Sequence, residues 1–141
     1  MKVLVMEPPN QLMSGDTARP NGALGPAYLV GALRAAGVEA DYYDGTVGLD
    51  GKAFYQHTLQ PNGLLRYGAT LDELAEVISH YDVVATSSIF SAQTRMHFEV
   101  AKIAKAQGKY LIAGGVNANA LCDQFLGYGF DIVVGGDGEQ A

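Results

Sequence analysis

Short apolar, β-branched runs recur along the chain at 2–6, 39–43, 82–86, 109–113 and 131–134, and the stretches between them carry helical period. Runs of this kind, without polar alternation, mark strands buried on both faces, so the pattern predicts five short parallel strands joined by crossover helices. The clearest helix follows Thr70. Thr70 and Glu73 form a capping box, and Leu71, Leu74, Ala75 and Ile78 recur at i, i+3, i+4 and i+7, with Asp72, Glu73 and Glu76 on the other side. A helix over about 25–36 buries Leu29, Val30, Leu33 and Ala36, with Gly37 at the position of a left-handed cap. A third, about 94–107, buries Met96, Val100, Ile103 and Ala104 and ends at Gly108; a shorter one, about 119–128, turns Leu121 and Phe125 inward.

Right-handed crossovers between five parallel strands give an α/β, doubly wound sheet, Rossmann-like, most simply in the flavodoxin-like order 2-1-3-4-5. Ligands of such sheets lie at the carboxyl ends of the strands. The connections leaving those ends are 7–24, 44–69, 87–92, 114–118 and 135 onward, and the first two exceed what mere connection requires. The sequence ends at Ala141, before a helix can follow the fifth strand. With that helix missing, the fifth strand and its neighbours are expected to show uncovered apolar surface, and the chain reads as part of a larger assembly.

At 141 residues, 48% hydrophobic and 17% charged, the chain is long enough to bury a core as one domain, 1–141, without disulfide or metal. Its net charge of −6 offers no attraction for phosphate backbones or anionic lipid, so neither nucleic acid nor membrane is an expected partner. Cys122 is the single cysteine, which excludes a disulfide framework and any multi-cysteine zinc or iron–sulfur site built by this chain, and fits a reducing, cytoplasmic location. The apolar start, Val3 to Met6, is stopped by Glu7-Pro8-Pro9, too soon for a signal peptide or a span of about 20 residues.

Three common ligands of this fold lack their residues. The first strand is followed by Glu7-Pro8-Pro9-Asn10, where two prolines remove the donors a phosphate loop needs; no aspartate follows the third strand to accept a phosphoryl group; and G-x-G-x-x-G is absent. What remains is the hydroxyl-rich Ser87-Ser88-Ile89-Phe90-Ser91, then Gly114-Gly115 with Val116-Asn117, and Gly135-Gly136-Asp137-Gly138-Glu139. Glycines at two adjacent strand ends either make ordinary turns or leave room for a large ligand against the backbone; two pairs beside a serine-rich loop favour the ligand.

With Pro8-Pro9-Asn10, Leu24-Gly25-Pro26-Ala27-Tyr28-Leu29, Asp44, Phe90-Ser91, Gly114-Gly115 and Gly136-Asp137-Gly138-Glu139 in this order, the whole chain resembles the N-terminal cobalamin-binding domain of cobalamin-dependent radical SAM enzymes. Cobalamin carriers of the methionine synthase and mutase type use D-x-H-x-x-G, S-x-L and G-G. Here Ser87-Ser88-Ile89 stands for the second and Gly114-Gly115 for the third. In Asp16-Thr17-Ala18-Arg19-Pro20-Asn21, Ala18 takes the histidine's place and Asn21 the last glycine's, so no histidine reaches cobalt from that loop.

The resemblance implies a cobalamin whose dimethylbenzimidazole tail leaves cobalt and is buried beside the third and fourth strands. Ser87, Ser88 and Ser91 would bond the tail and corrin amides, Ile89 and Phe90 would exclude water, and Gly114-Gly115 would give passage. It further implies a partner radical SAM domain, carrying a [4Fe-4S] cluster and S-adenosylmethionine, and most often methylation of an unactivated centre. This chain has no residues for that cluster, and Cys122 is expected to be a buried apolar residue. His80 is expected to complement a helix C-terminus. His97 either touches the corrin or lies on a solvated helix face, while His57, with Tyr55, Arg66 and Tyr67, belongs to a loop that covers the corrin or meets the companion domain. Glu7 and Asp137 either accept from corrin amides or are solvated, and Arg19 either approaches the nucleotide phosphate or is an exposed loop residue. Two other classes fit the same pattern: a free-standing corrinoid carrier or sensor, and a cofactor-free flavodoxin-like interaction module.

Overall fold

A computed structural model of the chain describes residues 1–20, 22 and 24–140. In chain order the elements are β1 (Lys2–Glu7), β2 (Asn10–Leu12), α1 (Leu24–Ala35), β3 (Glu39–Asp44), β4 (His57–Leu59), β5 (Leu65–Tyr67), α2 (Leu71–Ser79), β6 (Val83–Ser87), α3 (Thr94–Ala106), β7 (Tyr110–Gly114), α4 (Val116–Ala120), α5 (Cys122–Gly127) and β8 (Ile132–Val133). Single 3₁₀ turns lie at Lys52–Tyr55, Ser91–Gln93 and Gly138–Gln140.

Five strands form an all-parallel sheet in the order β3-β1-β6-β7-β8, which is the doubly wound order read from the sequence. Side chains alternate across it. Leu4, Met6, Val84, Leu111 and Ala113 face one core with Leu74 and Ile78 of α2, Val100 and Ala104 of α3 and Phe125 of α5. Val3, Val5, Val83, Ala85 and Ile112 face the other, where α1 alone supplies Val30, Leu29 and Leu33. Helices therefore cover the two faces unequally, and the α1 face is the open one.

Helix ends follow their local chemistry. The Thr70 hydroxyl accepts from the Glu73 amide at 3.2 Å and the Glu73 carboxylate accepts from the Thr70 amide at 2.6 Å, which holds the Glu73 carboxyl below the usual range. Gly37 (φ 81°) and Gly108 (φ 70°) end α1 and α3 in the left-handed conformation.

The structure differs from the sequence reading in three places. The helix expected at 119–128 starts at Val116 and breaks at Leu121 (φ −113°, ψ 30°) into α4 and α5, because the Asn117 amide bonds the Ser88 carbonyl at 3.1 Å and pulls the helix start to the end of β7. The last strand shrinks to Ile132–Val133. Asp131 spends its carboxylate on Lys105 Nζ (2.8 Å) and the Leu111 amide (2.7 Å), which hold its carboxyl below the usual range. The two long connections are partly regular: β2, β5 and β4 form an antiparallel sheet at the carboxyl end of the main sheet, pairing Asn10 with Tyr67 and His57 with Tyr67. These strands are three residues each, too short to show a period. The cap lies tightly against the end of the main sheet, since a Cβ on Gly68, just after β5, would stand 2.9 Å from Thr46 Cα and 3.1 Å from Pro9 Cβ. Among the described residues no helix is long and apolar enough to cross a membrane.

Candidate functional site

The open α1 face becomes a groove of about 890 Å³. Its floor is the outward-pointing set of the sheet, Val3 and Val5 of β1, Val83 and Ala85 of β6, Ile112 of β7 and Ile132 of β8, and its wall is Leu29, Ala32 and Leu33 of α1. Tyr110 and Ile132 at its edge are 47% and 42% exposed, so apolar surface lies uncovered on this side of the sheet.

Strand alternation fixes what stands at the carboxyl end of this groove. Ser87 follows Val83 and Ala85 on the groove side of β6, and Gly114 follows Ile112 on the groove side of β7; the two are register partners. A Cβ on Gly114 would meet nothing closer than Val134 Cβ at 4.0 Å, so the missing side chain leaves an opening that any larger residue would fill. The mouth is completed by the segment from Gly136 to Gln140, whose 3₁₀ turn rests on α1: a Cβ on Gly138 would stand 2.8 Å from Leu29 Cδ2. Asp137 and Glu139 are exposed there.

The structure thus gathers Ser87, Gly114, Gly115, Gly136, Asp137, Gly138 and Glu139 at one opening. Ser88 and Asn117 are placed behind it. Both are buried, and Asn117 Nδ2 donates to Ser88 Oγ and to Thr94 Oγ1, each at 2.8 Å, knotting the loop after β6 to the starts of α3 and α4. Gly115 belongs to the same knot. With φ at 94° and its would-be Cβ in collision with the Ser88 carbonyl, it is a glycine for the sake of the loop and not of the groove. Replacing Asn117 with alanine is expected to cost about 1–3 kcal/mol of stability, read by urea unfolding, because the buried Ser88 hydroxyl and the half-buried Thr94 hydroxyl lose their shared donor.

Ile89, Phe90 and Val116 stand above the knot, 47%, 59% and 71% exposed, with Ser91 exposed beside them. They form an apolar rim that the fold itself does not bury. Pro9 is buried beneath the cap sheet, and Asn10 starts β2 with its Nδ2 on Tyr67 Oη at 3.3 Å. Asn10 lines a separate polar recess of about 450 Å³ with Gln11, Asp16, Thr17, Arg19 and Tyr67. Tyr67 anchors it by donating to the Arg19 carbonyl at 2.6 Å. Asn21, which takes the place of the last glycine in the carriers' histidine motif, lies outside the described residues.

Three side chains, those of His97, Cys122 and Glu7, sit elsewhere than the sequence suggested. His97 is neither at a ligand nor on a solvated face: it is wholly buried in α3, its ring 6.1 Å from that of Phe125, and burial pushes its imidazole down to about 3. The helix face holding Met96 and Val100 carries it inward. Cys122 is half-buried, since the break at Leu121 turns the start of α5 outward. Glu7 is the buried last residue of β1 and not a solvated loop carboxylate. His57 lies on exposed β4, 6.4 Å from Tyr67 between ring centres. His80 does end α2, with Nε2 3.4 Å from Glu76 Oε1. The groove floor was missed as a site, although the alternation Val83, Ala85, Ser87 and the one-helix face both pointed to it.

No protein-family model and no curated protein matches the chain. Among solved structures it is similar to the protein described as "Crystal Structure of Sa239", at 15% identity and a TM-score of 0.44, over 94% of this chain and 72% of that one. Among the described residues no three His, Cys, Asp or Glu side chains stand together as a metal site.

Proposed function

We propose that the chain binds cobalamin with its dimethylbenzimidazole tail detached from cobalt and laid in the α1-side groove. One observation carries the reading. The groove is apolar along its floor, open at the carboxyl ends of β6 and β7, and left unfilled at its mouth by Gly114. This suits an aromatic base on a flexible linkage better than a compact phosphate, for which the prolines after β1 leave no nest of donors.

The residues divide the work. Val5, Ala85 and Ile112 would take the base out of water, Gly114 would let the linkage pass, and Ser87 would bond it at the mouth. Ile89, Phe90 and Val116 offer apolar surface to a macrocycle, and Asp137 and Glu139 offer acceptors to its amides. Ser88, Gly115 and Asn117 hold that rim in place through their buried bonds. Bound cobalamin would supply carbon–cobalt chemistry, and the chain's share is positioning and shielding. With Ala18 where carriers have histidine, the chain offers cobalt no imidazole from that loop. In keeping with the family resemblance, the iron–sulfur cluster and S-adenosylmethionine would come from a radical SAM domain, and the assembly would act as a methyltransferase in the cytoplasm.

Electron paramagnetic resonance of cob(II)alamin mixed with the chain tests this. The expected spectrum lacks the nitrogen splitting of the free cofactor, whose base is on cobalt; a spectrum that keeps the splitting overturns the reading.

A further inference from the structure

We infer that the groove selects among corrinoids by the polarity of the lower base, favouring the apolar dimethylbenzimidazole over adenine. The inference rests on the cobalamin reading and adds a specificity to it. Below its mouth the groove presents Val3, Val5, Ala85, Ile112, Leu29 and Leu33, with no side-chain donor or acceptor among them. The backbone cannot help, because the amides and carbonyls of β1, β6 and β7 are committed to the parallel ladder. Among the described residues, polar side chains line the groove at its carboxyl end, from Ser87 and from Asp137, Glu139 and Gln140, and at its opposite edge, where Tyr110 is half exposed to water, while Thr86 is turned by strand alternation towards the opposite core.

A dimethylbenzimidazole brings two methyl groups and a fused benzene ring to this floor, and all of that surface gains by leaving water. Adenine of the same outline brings an exocyclic amine and ring nitrogens that are hydrogen-bonded in water and would find no partner here. One unpaired polar group of this kind is enough for a difference of about tenfold or more in affinity. A corrinoid without any base forfeits the apolar contact altogether.

Equilibrium dialysis of the chain against cobalamin, its adenine-based analogue and base-free cobinamide tests the inference. The expected order is cobalamin first, with the adenine form weaker by about tenfold or more and cobinamide also weaker than cobalamin. The Ala85→Ser variant, which adds a hydroxyl to the floor, is expected to narrow the ratio between the two based forms while its circular dichroism is unchanged. Equal binding of the two based forms, or a ratio untouched by Ala85→Ser, overturns the selectivity and leaves cobalamin binding standing. Cobinamide bound as tightly as cobalamin removes the tail from the groove. Failure of all three to bind sinks the underlying reading and the inference together.

Discussion

A Gly114→Leu protein is expected to fold like the parent and to lose cobalamin, with affinity falling about tenfold or more. The side chain at this position points into the groove mouth, beside Ser87, and its Cβ has 4.0 Å to its nearest neighbour, Val134 Cβ. Gly114 also has an ordinary backbone conformation, so leucine adds no φ strain, and stability should stay within about 1 kcal/mol. The adjacent Gly115→Ala is expected to do the reverse. Its methyl group would collide with the Ser88 carbonyl oxygen, lie 2.9 Å from the Ser88 carbonyl carbon and force alanine to φ 94°. A cost of about 2 kcal/mol or more follows from strain and overlap together. Urea unfolding and dialysis on both variants check the pair; a Gly114→Leu protein that binds as the parent does would show that the mouth is not the passage.

The stability of the parent is expected to fall steeply on acidification because of His97. Its folded imidazole sits at about 3 against an ordinary 6.5, the shift being caused by burial alone, and neither ring nitrogen has a partner among the described residues. Between those values the unfolded chain binds a proton that the folded chain refuses, so stability rises with pH across the window and is lost as pH falls through it. The slope from this one group approaches about 1.4 kcal/mol per pH unit, and the loss comes to about 2 kcal/mol over the first two units below 6.5. Carboxylates with lowered values, such as Asp131 and Glu73, add their own loss only near and below the ordinary carboxylate range. His97→Leu is therefore expected to flatten the curve between pH 6.5 and 4.5 and leave the lower limb, as measured by chemical denaturation at a series of pH values. An unchanged slope would mean that His97 is protonated in the folded protein.

Much of this architecture was legible because the strands of the sheet are apolar on both faces. Apolar runs such as Val83-Val84 and Leu111-Ile112 give their strands away without alternation, and the Thr70–Glu73 box and Gly37 mark helix ends through bonds local in sequence. The cap sheet was hidden because its strands are three residues long and β2 joins β5 57 positions away, Asn10 with Tyr67, a range that leaves no local trace. The site divided in the same way. Glycines and serines at strand ends located the mouth, but whether each faced the groove or the loop behind it depended on alternation and on a single carbonyl, that of Ser88. That is why Gly114 and Gly115, neighbours of one type, serve different purposes. His97 escaped because a polar residue on an amphipathic helix reads as solvated until the neighbouring α5 covers it.

The most direct measurement is a visible-spectrum titration of the chain with hydroxocobalamin, followed by desalting. Retention of about one equivalent with a base-off spectrum is the result expected of a groove that takes the tail. A folded chain that releases all of the cofactor, or retains it with the base still on cobalt, would contradict the account.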